Sequence, residues 1–232
     1  MASERTNAKG YRFERKFFIR DLSKEEVESV VRLHPAFFSE IFEERHVNNI
    51  YFDSVRMNNY SDNVEGSRDR RKHRIRWYGA LMGRVAKPAL EIKTKKGLLG
   101  RKETYSMEAM EVGPSWCEPL LSRVLADRNV PDAVKSEMMG LEAVLVNRYR
   151  RRYFRSADAR YRITLDTEFC FYRMEGLSTP WMAPLTDETS VILELKYEPE
   201  DDDTASTVTN QFPFRMTKSS KYADGVARLY GW

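Results

Sequence analysis

The sequence predicts an α+β protein built around an antiparallel β-sheet large enough to close into a barrel. About eight segments alternate apolar and charged residues with the two-residue period of a strand, and two stretches carry apolar residues at helical spacing. At 232 residues the chain has the length of one domain, and no long linker divides it. We expect a single domain over residues 11–232, after a disordered polar segment at 1–10.

The first half of the chain supplies strands and one helix. A helix is predicted over residues 22–33, because Ser23 and Glu26 form a capping box and His34-Pro35 ends the apolar run. The strands predicted in this half cover residues 11–19, 49–53, 70–78, 89–95 and 102–107.

The second half begins with helical spacing over residues 116–146, interrupted by Pro131. The acidic stretch 199–204 is predicted to be a mobile loop, and a short helix is expected at 218–229. The strands predicted here cover residues 144–155, 161–166 and 190–197.

Composition excludes several classes of protein. The net charge of +4, from 39 basic and 35 acidic residues, does not by itself call for a polyanionic partner. Cys117 and Cys170 have no metal-ligand spacing, and we expect reduced thiols. No segment approaches the ~20 apolar residues of a membrane span. We therefore expect a cytoplasmic protein, with any membrane association provided by a separate membrane protein.

Charged residues gather on one face of each predicted strand, because residues two apart point to the same side. Most of these faces carry consecutive lysines or arginines with an isolated glutamate, whereas an ordinary polar face would also use Thr, Ser and Gln. The sets are Arg12, Glu14 and Lys16; Arg70, Lys72, Arg74 and Arg76; Glu91, Lys93 and Lys95; Arg160, Arg162, Thr164 and Asp166; and Glu194 and Lys196.

Like charges aligned on one face repel each other, so we expect an anionic ligand to offset them. Arginine forks match phosphate oxygens two at a time, and lysine adds a point charge. A closed barrel with these faces inward would be a cationic tunnel. The alternative left open is that each strand is half exposed and its charges face water.

The few glutamates on these faces are candidate ligands for a divalent ion. Mg²⁺ or Mn²⁺ bound together with phosphates is usually held by one or two carboxylates. Glu194 is the first candidate, with Glu14 and Glu91 behind it. Ion pairing with a neighbouring Arg or Lys is the alternative for all three.

Eight short motifs occur in an order that resembles a known family. They are Arg12-Phe-Glu-Arg-Lys16, Tyr51-Phe-Asp53, Lys72-His-Arg-Ile-Arg-Trp-Tyr78, Leu90-Glu-Ile-Lys93, Tyr149-Arg-Arg151, Arg162-Ile-Thr-Leu-Asp166, Leu193-Glu-Leu-Lys196 and Lys218-Ser-Ser-Lys-Tyr222. Together they resemble the catalytic domain of the vacuolar transporter chaperone (VTC) complex, a polyphosphate polymerase of the triphosphate tunnel metalloenzyme superfamily.

The resemblance implies a closed, eight-stranded antiparallel barrel with peripheral helices. It also implies that the protein transfers the γ-phosphoryl group of ATP to a growing polyphosphate chain, with Mn²⁺ or Mg²⁺ as cofactor. It implies Glu194 as the metal ligand, with Glu14 as our second candidate. The expected catalytic residues are Lys16, Arg74, Arg76, Arg151 and Arg162. The expected substrate-binding residues are Lys72, Lys93, Lys196, Lys218, Ser220 and Lys221.

Two other functions remain open at this stage. A hydrolase of tripolyphosphate or a nucleoside triphosphate would use the same basic residues, with water as the nucleophile. A non-catalytic module would use these residues only to bind a polyanion. Nucleic acid is disfavoured as that polyanion, because the basic clusters lack a stacking-aromatic motif. His73 flanks the basic set around Arg74 but should face outward.

Overall fold

The computed structural model describes residues 11–97, 99–113, 120–174 and 183–231, and it contains eleven strands and six α-helices in those ranges. The strands are β1 (Tyr11–Ile19), β2 (Ser39–Ser54), β3 (Asp69–Tyr78), β4 (Gly83–Val85), β5 (Ala89–Lys96), β6 (Leu99–Ser106), β7 (Met110–Val112), β8 (Leu141–Arg155), β9 (Arg162–Arg173), β10 (Leu185–Asp187) and β11 (Val191–Tyr197). The helices are α1 (Lys24–Arg32), α2 (Asn58–Glu65), α3 (Leu120–Ala126), α4 (Asp132–Met138), α5 (Asp202–Thr209) and α6 (Lys221–Tyr230).

Eight of the strands close into an antiparallel barrel, as predicted. Their order is β9-β11-β1-β6-β5-β3-β2-β8, and β8 pairs again with β9. The junction of β1 with β6 is short, since only Tyr11 and Arg12 pair with Arg101 and Gly100. Strand β10 lengthens the sheet beside β9, while β4 and β7 form a separate two-stranded ribbon.

Apolar side chains on the outer face of the barrel pack against the helices. One core lies between β3, β5 and the insert that contains α3 and α4, with Trp77 and Leu90 almost fully buried. A second core joins β1, β9 and β11 to α1 and α5. Because most apolar residues of β1, β3, β5 and β11 pack in these two outer cores, the alternate, charged residues of these strands point into the barrel.

Helix α6 packs at one end of the barrel in a third core that includes Val47, Leu145 and Phe171. Gly225 makes this close contact possible. A Cβ atom there would lie 2.6 Å from Cδ1 of Phe171 and 2.9 Å from Cδ2 of Leu145. The helix therefore approaches the sheet closely enough for its first residues to reach the barrel interior.

The helix predicted over 22–33 is confirmed, since Ser23 and Glu26 form the reciprocal capping box of α1. The prediction of a mobile loop at 199–204 is wrong, because a 3₁₀ turn and the start of α5 occupy that stretch. There Asp201 accepts hydrogen bonds at 2.6 Å from Arg160, and Asp202 accepts one at 2.8 Å from the hydroxyl of Tyr197. These partners, which are distant in sequence, order a segment whose own residues do not predict a regular structure.

Strand β2 is much longer than the predicted strand at 49–53, and α2 occupies residues for which no helix was predicted. The predicted disorder of 1–10 and the state of Cys117 fall outside the described residues. Cys170 carries a free thiol. In the described part of the chain, no helix combines the length and apolarity needed to span a bilayer.

Candidate functional site

The barrel encloses a cavity of about 380 Å³ whose wall is strongly basic. Among its described lining residues are twelve lysines and arginines but only two acidic residues, Glu14 and Glu194. The basic residues come from β1, β3, β5, β6, β8, β9, β11 and the start of α6. They are Arg12, Lys16, Lys72, Arg74, Arg76, Lys93, Arg101, Lys102, Arg151, Arg162, Lys196 and Lys221.

Strand β3 shows how the two-residue period separates the two faces of the wall. Lys72, Arg74 and Arg76 line the cavity. Arg71 and His73 point the other way and contact Glu137 of α4, at 2.5 Å and 2.8 Å respectively. His73 thus faces away from the cavity as predicted, although α4 buries it instead of leaving it in solvent.

Glu91 is buried and joins three cations in one cluster. Its carboxylate accepts hydrogen bonds from Nη2 of Arg74 at 2.6 Å and from Nζ of Lys102 at 2.7 Å, and Nη1 of Arg76 lies 3.7 Å away. Burial acts to raise the pKa of Glu91, but the two guanidinium groups outweigh it and hold that pKa far below its ordinary value. Glu91 is not among the described lining residues of the cavity, so its role is ion pairing, the alternative the sequence left open.

Asp166 anchors a second cluster, which joins β8, β9 and α6. Its two carboxylate oxygens accept hydrogen bonds from Nε and Nη2 of Arg151 at 2.5 and 2.6 Å. Nζ of Lys221 lies 2.6 Å from the same carboxylate. Burial opposes ionisation of Asp166, yet the two cations lower its pKa. This carboxylate therefore holds Arg151 and Lys221 in fixed positions on the cavity wall.

Glu194 lies on the wall between lysines of three elements. Its oxygens are 3.2 Å from Nζ of Lys16, 2.9 Å from Nζ of Lys196 and 3.2 Å from Nζ of Lys221. Burial raises the pKa of Glu194, but the lysines outweigh that effect and hold it well below the ordinary value. The carboxylate is therefore ionised at neutral pH.

Glu14 is the other carboxylate on the wall, and Nζ of Lys93 donates to both of its oxygens, at 2.8 and 2.7 Å. The pKa of Glu14 is lowered, because Lys93 and Lys16 outweigh the effect of burial. The described residues contain no group of three or more His, Cys, Asp or Glu side chains that could hold a metal by themselves. Two ionised carboxylates nevertheless fit a divalent ion that takes its remaining ligands from phosphate oxygens and water.

Lys72 differs from the other wall lysines in its partner. Its Nζ donates to the hydroxyl of Ser220 at 2.7 Å, and no ion pair with a carboxylate is found for it within the described ranges. Burial and the charges of Lys16 and Lys93 lower the pKa of Lys72 well below its ordinary value. An anion in the cavity would remove that penalty.

Asp53 positions the helix that brings Ser220 and Lys221 to the wall. It accepts hydrogen bonds from the backbone N–H groups of Asn59 and Tyr60 at the start of α2, each at 2.9 Å, and from the hydroxyl of Tyr222 in α6. Burial and the neighbouring Asp53 raise the pKa of Tyr222, so the phenol stays protonated as a donor. This contact gives the Tyr51-Phe-Asp53 motif a physical role.

Most of the sequence-predicted site residues meet in this cavity, and Lys218 is the exception. It is exposed and is not among the described lining residues. The preceding Thr217 is tied to β1, since its N–H donates to the carbonyl of Lys16 at 2.8 Å and its hydroxyl accepts from the N–H of Phe18 at 2.9 Å. That attachment leaves Lys218 facing solvent. Five members of the predicted inward faces are also missing from the described lining, namely Arg70, Glu91, Lys95, Arg160 and Asp166.

The wall also contains residues that the sequence did not single out. Lys102 belongs to the predicted strand at 102–107, whose charged face was not assigned, and Arg101 immediately precedes that strand. Tyr51 and Tyr149 stand in the quoted motifs without a role. The hydroxyl of Tyr149 accepts a hydrogen bond from Arg76 at 3.1 Å. The two-residue period could have placed Lys102 on the inner face of β6, but it could not have placed its sequence neighbour Arg101 there as well.

The fold and the site together define a closed β-barrel with a cationic interior, a shape suited to an elongated polyanion. The chain matches the VTC domain family over residues 11–230 and belongs to that family. The resemblance drawn from the eight motifs is thereby confirmed. Among curated protein sequences, none matches the chain.

The solved structures that resemble this chain share little sequence with it. A candidate adenylate cyclase from Bacillus halodurans is 13% identical with a TM-score of 0.50, and the match covers 95% of this chain and 99% of that one. A candidate adenylate cyclase from Vibrio parahaemolyticus is 13% identical, with a TM-score of 0.48 and coverage of 91% and 96%. A Pyrococcus horikoshii protein is 12% identical, with a TM-score of 0.49 and coverage of 94% and 99%. At these identities the likeness concerns the fold alone.

Proposed function

We propose that the protein is a polyphosphate polymerase, which transfers the γ-phosphoryl group of ATP to a growing polyphosphate chain inside the barrel. The observation that carries this proposal is the cavity wall, on which twelve basic residues face two glutamates. A chain of phosphates distributes negative charge along its length, so it can offset cations that many strands contribute. Membership of the VTC family supports the same substrate class.

Arg74, Arg76 and Arg151 are the groups best placed to act on the transferred phosphoryl group. Each guanidinium is oriented by a carboxylate, a tyrosine or an asparagine, so it does not have to reorganise during the reaction. In the reaction, the bond from the γ-phosphorus to its bridging oxygen breaks and ADP leaves. A new bond forms to the terminal oxygen of the polyphosphate chain.

The nucleophile of this reaction is already an anionic oxygen, so no general base is required. The described lining residues include no histidine, which agrees with that chemistry. Phosphoryl transfer depends chiefly on positioning and on neutralising the charge spread over the equatorial oxygens. Lys16, Lys93 and Lys196 would contribute that charge along the barrel.

Glu194, with Glu14 as a second carboxylate, would hold Mn²⁺ or Mg²⁺ together with phosphate oxygens. When bound, such an ion would neutralise charge on the nucleotide phosphates and help to orient them. Both carboxylates form ion pairs with lysines in this structure. The phosphates would attract those lysines away from the glutamates, so binding of the ion and binding of the phosphates should be coupled.

The reaction can be tested by incubating the protein with ATP and Mn²⁺ and following ³¹P NMR. Growth of the internal-phosphate signal together with ADP is the expected result. Orthophosphate as the sole new phosphate signal would identify a hydrolase and overturn the polymerase. Binding of polyphosphate without turnover of ATP would identify a polyanion-binding module.

The assignment of the site can be tested with two variants of the same strand. Arg74→Ala removes a guanidinium from the cavity wall, and we expect turnover to fall about 10²–10³-fold. Arg71→Ala is the matched control, because Arg71 lies on the opposite face of β3 beside Glu137. Equal turnover in the two variants would show that the cavity is not the reaction site.

A further inference from the structure

Three aromatic rings surround one arginine at the end of the barrel opposite α6. The guanidinium carbon of Arg45 lies 4.3 Å from the ring centre of Tyr78, 4.7 Å from that of Tyr153 and 5.6 Å from that of Phe42. Nε of Arg45 also donates to the hydroxyl of Tyr153 at 3.2 Å. We call this group, Phe42, Arg45, Tyr78 and Tyr153, the aromatic collar.

The aromatic collar is continuous with the phosphate-binding wall. Its three rings line the same cavity as the lysines and arginines. Tyr153 follows Arg151 by two residues on β8, and the Arg151 guanidinium carbon lies 5.9 Å from its ring centre. On β3, Lys72 contacts α6 through Ser220, whereas Tyr78 stands at the other end of the same strand. The basic wall thus leads from α6 to the collar.

Phosphate binding alone does not explain the collar. Phe42 is 56% exposed and Tyr78 is 47% exposed, and neither ring can neutralise an anion. The pairing of β2 with β8 shifts register on both sides of Phe42, between Glu40 and Phe42 and again between Phe42 and Arg45. Such bulges are frequent at barrel rims and redirect side chains. Here the irregularity accompanies rings that remain partly exposed at the mouth of the cavity.

We propose that the aromatic collar is a nucleobase subsite, which stacks the purine ring of ATP while the phosphates enter the basic wall beside Arg151. Bases stack on aromatic rings and on the plane of an arginine guanidinium, and the collar offers both. This inference rests on the proposed use of ATP by the same cavity. It assigns the nucleotide to the end of the barrel away from α6.

Comparing ATP with inorganic tripolyphosphate tests the subsite, because the two ligands share the triphosphate and differ in the nucleoside. The double variant Phe42→Ala/Tyr78→Ala should bind ATP about tenfold more weakly by calorimetry, while tripolyphosphate affinity changes by less than about twofold. Val64→Ala is the control, since Val64 is an exposed apolar residue of α2. Tyr78→Phe keeps the ring and should retain the affinity for ATP.

Equal losses for the two ligands, or no loss for ATP, would overturn the subsite. If the double variant is unstable, the wild-type protein still decides, because a stacked base requires ATP to bind more tightly than ribose 5-triphosphate, which has the same phosphate ester and lacks the base. The NMR experiment is independent of this one. A protein that releases orthophosphate alone can still have a nucleobase subsite, and a polymerase can lack one.

Discussion

Two strands of the barrel carry almost the same four residues, and the structure uses them differently. Leu90-Glu91-Ile92-Lys93 lies in β5 and Leu193-Glu194-Leu195-Lys196 lies in β11. Both glutamates point inward and are similarly buried, at 4% and 6% exposure. Glu91, which is not among the described lining residues, is held mainly by Arg74 and Arg76, whereas Glu194 lies on the wall and is held mainly by lysines. The partners on neighbouring strands and on α6, and not the motif, separate the two roles.

The difference between arginine and lysine partners has a chemical consequence. A guanidinium stays protonated and binds a carboxylate through a rigid fork, so the pair of Arg74 with Glu91 resists exchange. An ammonium group is a single point charge on a flexible stem, and it can lose its proton or move toward a phosphate. If the proposed divalent ion binds, we therefore expect it to recruit Glu194, whereas Glu91 should stay paired with Arg74.

The largest effect is expected from Glu91→Gln, which should lower the free energy of unfolding by about 3–5 kcal/mol. The substitution leaves the buried Arg74 without its charged partner, and Arg74 cannot relieve this by deprotonation. Urea denaturation measures the change. Glu103→Gln is the matched control on β6, because Glu103 pairs with Arg101 where both are largely exposed, and it should cost about 0–1 kcal/mol. Similar losses in the two variants would refute the structural role of Glu91.

Glu194→Gln should instead act on turnover, with a decrease of about 10²–10³-fold in polymer formation from ATP. Its lysine partners keep other contacts, such as Asp166 for Lys221, so the stability loss should be smaller than for Glu91→Gln. A titration with Mn²⁺ adds a specific readout, since the midpoint should rise in Glu194→Gln and stay near wild type in Glu91→Gln. Wild-type turnover and an unchanged midpoint would remove Glu194 from the metal site.

The inward faces of β3, β5 and β11 could be predicted because they depend only on local alternation. Each of these strands commits its apolar residues to an outer core, which sends the charged set inward. The split between Glu91 and Glu194 could not be predicted in the same way. It depends on Lys102 of β6 and Lys221 of α6, which reach these carboxylates from other parts of the chain.

Long-range partners also explain the elements that sequence reasoning missed. The acidic stretch before α5 has no local reason to be ordered, but Arg15 and Arg160 contact Asp202 and Asp201 from β1 and from the residues before β9. The expectation that Lys218 binds substrate depended only on its position in the motif Lys218-Ser-Ser-Lys-Tyr222. In the structure Lys218 is exposed and follows Thr217, whose N–H and hydroxyl form hydrogen bonds with β1.

The lysines of the barrel allow a smaller test of the same comparison. Burial lowers the pKa of both Lys93 and Lys196, but each has a carboxylate partner that opposes the shift. Lys72 has Ser220 instead, and burial with Lys16 and Lys93 lowers its pKa well below the ordinary value. An anion in the cavity favours the charged form and raises that pKa. Binding should therefore take up protons at a pH between the pKa values of the free and the bound states, and affinity should weaken as the pH rises through this interval.

Calorimetry of tripolyphosphate binding in Hepes and in Tris measures this uptake, because the two buffers differ in ionisation enthalpy. We expect a net uptake of protons by the wild-type protein at mildly alkaline pH and a smaller uptake in Lys72→Gln. Lys24→Gln, which removes a lysine of α1 outside the cavity, should behave like wild type. A proton uptake no larger in the wild-type protein than in Lys72→Gln would mean that Lys72 is already charged in the empty barrel. In that case Lys72 would have the same charge as Lys93 and Lys196, although no carboxylate pairs with it among the described residues.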